Sequence, residues 1–330
     1  MLLITGGAGY IASHAVLEFS KNSDIVIFDN LSTGHIETIE TLKKINPKIC
    51  FEKGDLTVAS DIKRVFEKYE IDGVIHFAGY SLVSESVKNP EKYYKNNIRG
   101  SYNLFKTMVE HNVLKIVFSS SAAVYGNPKL SSIDETCPTC PINPYGVSKL
   151  TIEKILANFD KNYGLKSVCL RYFNVIGADS LGRIGEWHEP ETHIVPNILK
   201  AIIKKEDSVK VFGDDYKTKD GSCLRDYINV EDLVRAHCLA FEYLKKENKS
   251  DIFNLGASNS TSVFDIVKLA KEITSSDIKI EIAPRRAGDP DILCANSAKA
   301  NKILKWYPEK SILDSIKTAY NREKLRAMQF

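Results

Sequence analysis

Short apolar runs alternate with longer amphipathic stretches along the first 171 residues. The runs "LLIT" (2–5), "IVIF" (25–28), "GVIHFA" (73–78), "KIVFSSS" (115–121) and "SVCLRYF" (167–173) are rich in branched and aromatic side chains and lack polar alternation. Helix-like stretches lie between them, at 58–69 and 91–112 and from Pro144 onward. Unalternated strands separated by helices predict a parallel sheet covered on both faces, the doubly wound α/β arrangement. After about residue 175 the rhythm loosens. Glycine, proline and charge are frequent over 177–222 ("GADSLGRIGEWHEPETH", "FGDDYKTKDGS"), and helices are predicted near 231–246, 262–274 and 311–326 with short strands between. The expected organisation is a doubly wound domain over 1–175 and a smaller α/β lobe over 176–330. That lobe closes over the carboxyl ends of the strands, where such sheets bind ligands, with some of the chain crossing between the two parts.

Composition narrows the function classes. The 330 residues are 43% hydrophobic and 26% charged with a net charge of +3 and both signs interspersed, which fits a globular chain and lacks the basic field of a nucleic-acid binder. A small-molecule partner is expected. The start "MLLITGGAGYIASH" has only a short apolar run and no basic leader, so neither a secretion signal nor a membrane span is expected, and the compartment is read as cytoplasmic. Seven cysteines, an odd number in scattered positions, fit reduced thiols better than a disulfide framework. "CPTC" at 137–140 lacks a second pair, and His188 and His193 of "WHEPETH" are five residues apart, a spacing that does not favour one helical face. No metal is expected.

"LLITGGAGYIASHAVLEF" reads as strand, glycine turn and helix, with Gly6, Gly9 and Ala12 in the spacing G-x-x-G-x-x-A. The first glycine permits the tight turn, the second lets backbone N–H groups approach a pyrophosphate, and the small third residue lets helix and strand pack closely, a Rossmann-type arrangement. "IVIFDN" ends a second strand at Asp29, about 20 residues on. A carboxylate there accepts hydrogen bonds from the adenosine ribose and repels a 2′-phosphate, so NAD is preferred over NADP. "GDL" offers Asp55 to the adenine amino group, and "HFAG" offers Phe77, Ala78 and Gly79 beside the pyrophosphate.

Tyr145 and Lys149 are four residues apart on one face of the helix beginning near Pro144. A phenol serving as base near pH 7 must fall about three units from its ordinary value, roughly 4 kcal/mol in favour of phenolate. An ammonium about 4 Å away supplies a few kcal/mol at an effective dielectric near 20, and the positive nicotinamide ring of an oxidised cofactor adds a comparable amount. "VFSSSAAVYG" brings Ser121 to a strand end as a hydroxyl partner for the substrate oxygen beside the tyrosine.

With these residues in hand, "TGGAGYIAS", "SSSAAVYG" and "NPYGVSK" resemble the extended short-chain dehydrogenase/reductase superfamily. "FDNLSTG", "RYFNVIGA", "RDYINVEDL" and "APRRAGDP" narrow the resemblance to the UDP-glucose (UDP-galactose) 4-epimerases over essentially the whole chain. The resemblance implies Tyr145 as base, with Lys149 and Ser121 as its helpers. It implies NAD contacts at Tyr10, Ile11, Asp29, Asn30, Leu31, Ser32, Thr33, Gly34, Asp55, Leu56, Phe77, Ala78, Gly79, Asn97 and Phe173. For the sugar nucleotide it implies Asn174, His193 as a polar contact, Phe212 against uracil, Arg225 and Arg286 on the diphosphate and Asp289 on the uridine ribose. Two arginines converging on a diphosphate make chemical sense. It also implies a homodimer paired through the tyrosine-bearing helix and its neighbour.

Three positions depart from the pattern. Ser81 stands where some members carry a lysine near the nicotinamide, and Ala123 replaces a common threonine. Leu293 has intermediate bulk at the position associated with admitting N-acetylated sugars, so hexose and N-acetylhexosamine both stay open. The expected reaction is interconversion of UDP-glucose and UDP-galactose through transient oxidation at carbon 4. A 4,6-dehydratase begins the same way but needs an acidic pair after the serine run, where this chain has Ala122 and Ala123.

Overall fold

The computed structural model describes residues 1–330 except 129, 131, 286–289, 329 and 330. Strands β1 (Leu2–Thr5), β2 (Ile25–Asp29), β3 (Cys50–Lys53), β4 (Gly73–His76), β5 (Lys115–Ser119) and β6 (Lys166–Tyr172) pair in parallel. Nine residues of β1, β2 and β4 belong to the buried apolar core, Leu2, Leu3, Ile4, Ile25, Val26, Ile27, Phe28, Val74 and Ile75, with Val117 and Phe118 of β5 beside them. Burial on both faces explains their unalternated sequences. One face packs against Ala15, Val16 and Phe19 of the helix Tyr10–Phe19 and Leu233, Ala240 and Leu244 of the helix Val230–Glu247. The other packs against Val65, Leu104, Phe105 and Leu156.

The second lobe contains β7 (Asn174–Ile176), β8 (Ser208–Phe212), β9 (Leu224–Asn229), β11 (Ser260–Ser262), β12 (Lys279–Ala283) and β13 (Ile292–Leu293), with β10 (Asp251–Leu255) intervening in sequence. β9 pairs with β7, β11 and β13, β8 pairs with β12, and β10 leaves this lobe to become the seventh strand of the main sheet, parallel to β6. The main sheet therefore takes β10 from the far half of the chain and is covered in part by the helix Val230–Glu247.

The strand order β10-β6-β5-β4-β1-β2-β3 reverses direction between β1 and β4. The crevice beyond the carboxyl ends of those two strands is the switch point where ligands bind in open α/β sheets. Gly6 follows β1 and Phe77 follows β4 at that point. Gly6 has φ +74°, and a Cβ on it would stand 2.7 Å from the Ala78 nitrogen, so the turn requires glycine for both conformation and space.

The predicted helix over 91–112 is built in three pieces: Pro90–Tyr93, a π-turn over Tyr94–Arg99, and Gly100–Glu110. Asn97 lies in the π-turn. The helix predicted from Pro144 runs Pro144–Tyr163, with Asn143 accepting the Gly146 N–H at 2.8 Å and proline in the first turn. Gly146 allows this helix to pack tightly: a Cβ there would meet the Ala123 carbonyl at 2.5 Å. Among the described residues no helix is long and apolar enough to cross a membrane.

Candidate active site

A cavity of about 580 Å³ opens at the switch point and is lined by both parts of the chain. The catalytic and cofactor residues singled out from the sequence all line it except Leu31, Asp55 and Asn97, which stand just behind. The Asp29 carboxylate, at the end of β2, accepts the Ala8 N–H at 3.0 Å and the Leu31 N–H at 2.7 Å. Burial raises its pKa, and those two backbone bonds oppose the rise. Asp55 accepts from the Asn30 amide at 3.0 Å and from Thr57, so it orients Asn30 on the cavity wall. Asn97 is buried, accepting from the Tyr80 N–H at 2.9 Å and donating to the Tyr80 carbonyl and Ser148 Oγ. It fixes the Gly79–Ser81 segment, which does face the cavity. A positive-φ glycine turn, a carboxylate at the second strand end and an elongated cavity between them fit a bound NAD.

Tyr145 and Ser121 meet where the Pro144–Tyr163 helix packs on the turn Ala122–Tyr125. The Ser121 side chain lies beside the phenol and opposes its rise in pKa, and its oxygen accepts the Ala123 N–H at 3.1 Å. Lys149 is buried, donates to the Ser119 carbonyl at 2.7 Å and lies over the Phe118 ring. Burial raises the Tyr145 pKa, only partly opposed by Ser121, and burial lowers that of Lys149 to about 8 against an upward pull from Glu153.

From the second lobe, Asn174, His193 and Leu293 line the cavity. His193 precedes the helix Ile194–Ile203 and approaches Glu186 Oε1 with its Nδ1 at 2.6 Å. Partial burial works against charge on His193, but Glu186 and Glu191 outweigh it and raise its pKa to about 10. Phe212 and Arg225 are not on the cavity wall. Arg225 is buried at one remove, donating to the Leu224 and Pro290 carbonyls, and Pro290 itself lines the cavity. Phe212 ends β8, half-buried. Arg286 and Asp289 lie outside the described residues.

Glu186, His188 and Tyr227 also line the cavity and carried no role in the sequence reading. The segment Glu186–His193 is a loop, so the helical spacing applied to its histidines does not govern it: the His188 and His193 rings lie 5.3 Å apart. All seven cysteines are free thiols, with Cys137 buried and Cys140 exposed.

Comparison with known proteins gives the same direction. The NAD dependent epimerase/dehydratase family matches residues 2–256. The chain is 49% identical to UDP-glucose 4-epimerase of Lactobacillus helveticus over 325 residues, 98% of this chain and 97% of that one. Among solved structures, UDP-glucose 4-epimerase of Bifidobacterium longum in complex with NAD+ and UDP superposes with a TM-score of 0.94 at 38% identity, covering 100% of this chain and 99% of the other. The UDP-Glc/GlcNAc 4-epimerase of Campylobacter jejuni superposes with a TM-score of 0.85 at 40% identity, covering 98% and 99%.

Proposed function

Since the chain belongs to the NAD dependent epimerase/dehydratase family and is an NAD-dependent epimerase, we propose that it interconverts UDP-glucose and UDP-galactose at sugar carbon 4. The observation that carries the reading is one continuous cavity lined by Tyr145 and Ser121 together with the glycine turn and the second-lobe residues Asn174, His193 and Leu293.

When bound, NAD accepts hydride from carbon 4 and returns it. Tyr145 takes the proton of the 4-hydroxyl as that carbon is oxidised, and returns it when the ketone is reduced. Ser121 holds the phenol and offers a second hydroxyl to the same sugar oxygen. Lys149, anchored on the Ser119 carbonyl, fixes the floor beside the tyrosine. His193, hydrogen-bonded to Glu186, faces the cavity where a diphosphate would meet it. Arg225, Arg286, Asp289 and Phe212 are assigned to the nucleotide end on the family resemblance. With the nucleotide anchored in the second lobe, the freed keto sugar turns about its phosphate linkage and takes hydride on its other face, which inverts carbon 4. No outside oxidant is consumed.

The test is incubation of the purified protein with UDP-galactose, with no NAD added, and chromatographic detection of UDP-glucose. Conversion is the expected result and also reports cofactor retained through purification. Absence of conversion with NAD supplied would sink the assignment.

A homodimer is part of the same proposal. Tyr102 and Tyr163, 46% and 55% exposed, flank half-buried Phe159 on the helices Gly100–Glu110 and Pro144–Tyr163, an aromatic face suited to a second copy. Sedimentation giving only monomer at micromolar concentration would exclude it. The free thiols favour a reducing, cytoplasmic compartment.

A further inference from the structure

The loop Glu186–His193 gathers four potential donors on one wall of the cavity. His193 Nδ1 is 2.6 Å and His188 Nδ1 3.1 Å from the same oxygen, Glu186 Oε1, and Glu191 Oε1 stands 3.5 and 3.9 Å from those two nitrogens. All four donor atoms fall within 4.8 Å of one another. Bonds of about 2.0–2.2 Å from nitrogen or carboxylate oxygen to one divalent ion place neighbouring donors roughly 3.0–3.6 Å apart; the 3.1 and 3.5 Å separations fall in that range, and the 2.6 Å pair is a hydrogen bond whose proton an ion would displace as the donors move apart. Two imidazoles and two carboxylates form a donor set suited to zinc, cobalt or iron and unsuited to magnesium or calcium.

We propose that Glu186, His188 and His193, with Glu191 as the fourth donor, form a binding site for one divalent transition-metal ion on the cavity wall. The surroundings are built as support for such a site. Glu186 and Glu191 are nearly buried, with side chains 8% and 5% exposed, while His193 is 51% exposed toward the open side. Glu191 is oriented by the Thr192 and His193 N–H groups on Oε1 and by Lys200 on Oε2 at 3.3 Å. The Tyr10 ring meets the His188 ring edge-on at 6.4 Å, and Trp187 stacks on His35 at 3.7 Å, so the loop is clamped to the dinucleotide domain. Such outer partners fix ring orientation and commonly change metal affinity 10–100-fold when removed. An ion here would present its free positions to the cavity and accept diphosphate oxygens. That last step rests on the sugar-nucleotide reading above, whereas metal binding itself does not.

The test is titration of the chelator-treated, cofactor-loaded protein with Co2+ alone, followed by visible absorption and calorimetry, with epimerase turnover measured on the same preparation. One Co2+ per chain with intensified ligand-field bands is expected. Glu186→Gln and His188→Gln should each weaken binding at least tenfold, while His111→Gln, outside the cluster, should leave it unchanged. A wild-type spectrum identical to aqueous Co2+ would overturn the proposal without reference to any variant, as would equal binding by the Glu186→Gln/His188→Gln protein. Turnover without Co2+ binding removes the metal site and leaves the epimerase assignment standing. Co2+ binding without turnover does the reverse.

Discussion

Lys149 donates to the Ser119 carbonyl at 2.7 Å, and its Nζ stands 5.8 Å from the centre of the Tyr145 ring. The ammonium is thus held by the backbone next to the phenol without being bonded to it. Burial holds Tyr145 above its ordinary pKa and Lys149 down at about 8, so the phenol needs a further positive charge to ionise near neutrality. A bound oxidised nicotinamide would supply one.

Tyr145→Phe is expected to lower kcat by about 10²–10⁴-fold, the range for loss of a positioned general base, with KM for UDP-galactose little changed. Lys149→Met should also lower kcat and in addition weaken NAD retention. Turnover of Tyr145→Phe near that of the wild type would remove the tyrosine from its role.

Acid should destabilise the fold through His76. Its ring is fully buried between Thr5 and Ser101: Nδ1 lies 2.7 Å from Thr5 Oγ1 and Nε2 2.8 Å from Ser101 Oγ. Ser101 already donates to the Asn97 carbonyl, so Nε2 carries the proton and Nδ1 accepts from Thr5. Burial, with Lys149 nearby, lowers the pKa to about 3, and burial lowers that of His237 to about 4. Between those values and the unfolded value near 6.5, the unfolded chain binds protons that the folded one does not. Stability is therefore complete above about pH 6.5 and falls as pH drops toward 3. For His76 the loss is about 3 kcal/mol by pH 4.5. Urea unfolding at pH 7 and 4.5 measures it, and His76→Gln, which keeps a donor and an acceptor, should flatten the difference. Equal pH dependence in the two proteins would show that His76 is not responsible.

A second buried network supports the catalytic helix from below. Glu153, one turn after Lys149, accepts Arg171 Nε at 2.9 Å and Nη2 at 2.5 Å and the Ser120 hydroxyl at 2.5 Å, and Arg171 also donates to the Tyr125 hydroxyl. Both charged side chains are about 95% buried, at 5% and 4% exposure. Removing one partner of such a pair leaves the other charge desolvated, so Glu153→Leu should cost about 3–5 kcal/mol by chemical denaturation. A loss under 1 kcal/mol would mean that water reaches Arg171 in the variant.

The sheet was legible because its strands are buried on both faces and its helices punctuate them: β1, β2, β4, β5 and β6 all stand where apolar runs placed them. β10 was not, since "DIFNL" is short, begins with a charge and joins the first sheet from the far half of the sequence. The helix Ile194–Ile203 escaped because Pro196 looks like a breaker, yet within the first turn its missing N–H leaves no helical bond unmade. Tyr145, Lys149 and Ser121 could be found from helical spacing and a strand end. Glu186 and His188 could not, because a loop has no period from which to infer that two imidazoles share one carboxylate. Arg225, assigned to the nucleotide end by resemblance, donates to the Pro290 carbonyl, and Pro290 lines the cavity.

Substrate choice should turn on Leu293. Its side chain lines the cavity, and its backbone is held by β13 pairing with β9, where Leu293 stands opposite Arg225. A side chain on a paired strand cannot retreat by loop movement, so its volume subtracts directly from the space beside the sugar. An N-acetyl group adds three heavy atoms to the hexose. Excluding a group of that size by a clash exceeds the 10- to 200-fold that a single methylene gives in an apolar pocket only where the wall is rigid. Leu293→Tyr should lower kcat/KM for UDP-N-acetylgalactosamine at least tenfold relative to UDP-galactose, and Leu293→Ala should raise that ratio. The check is kcat/KM for both substrates in the three proteins. An unchanged ratio in both variants would place the sugar's N-acetyl group elsewhere in the cavity and remove Leu293 from specificity.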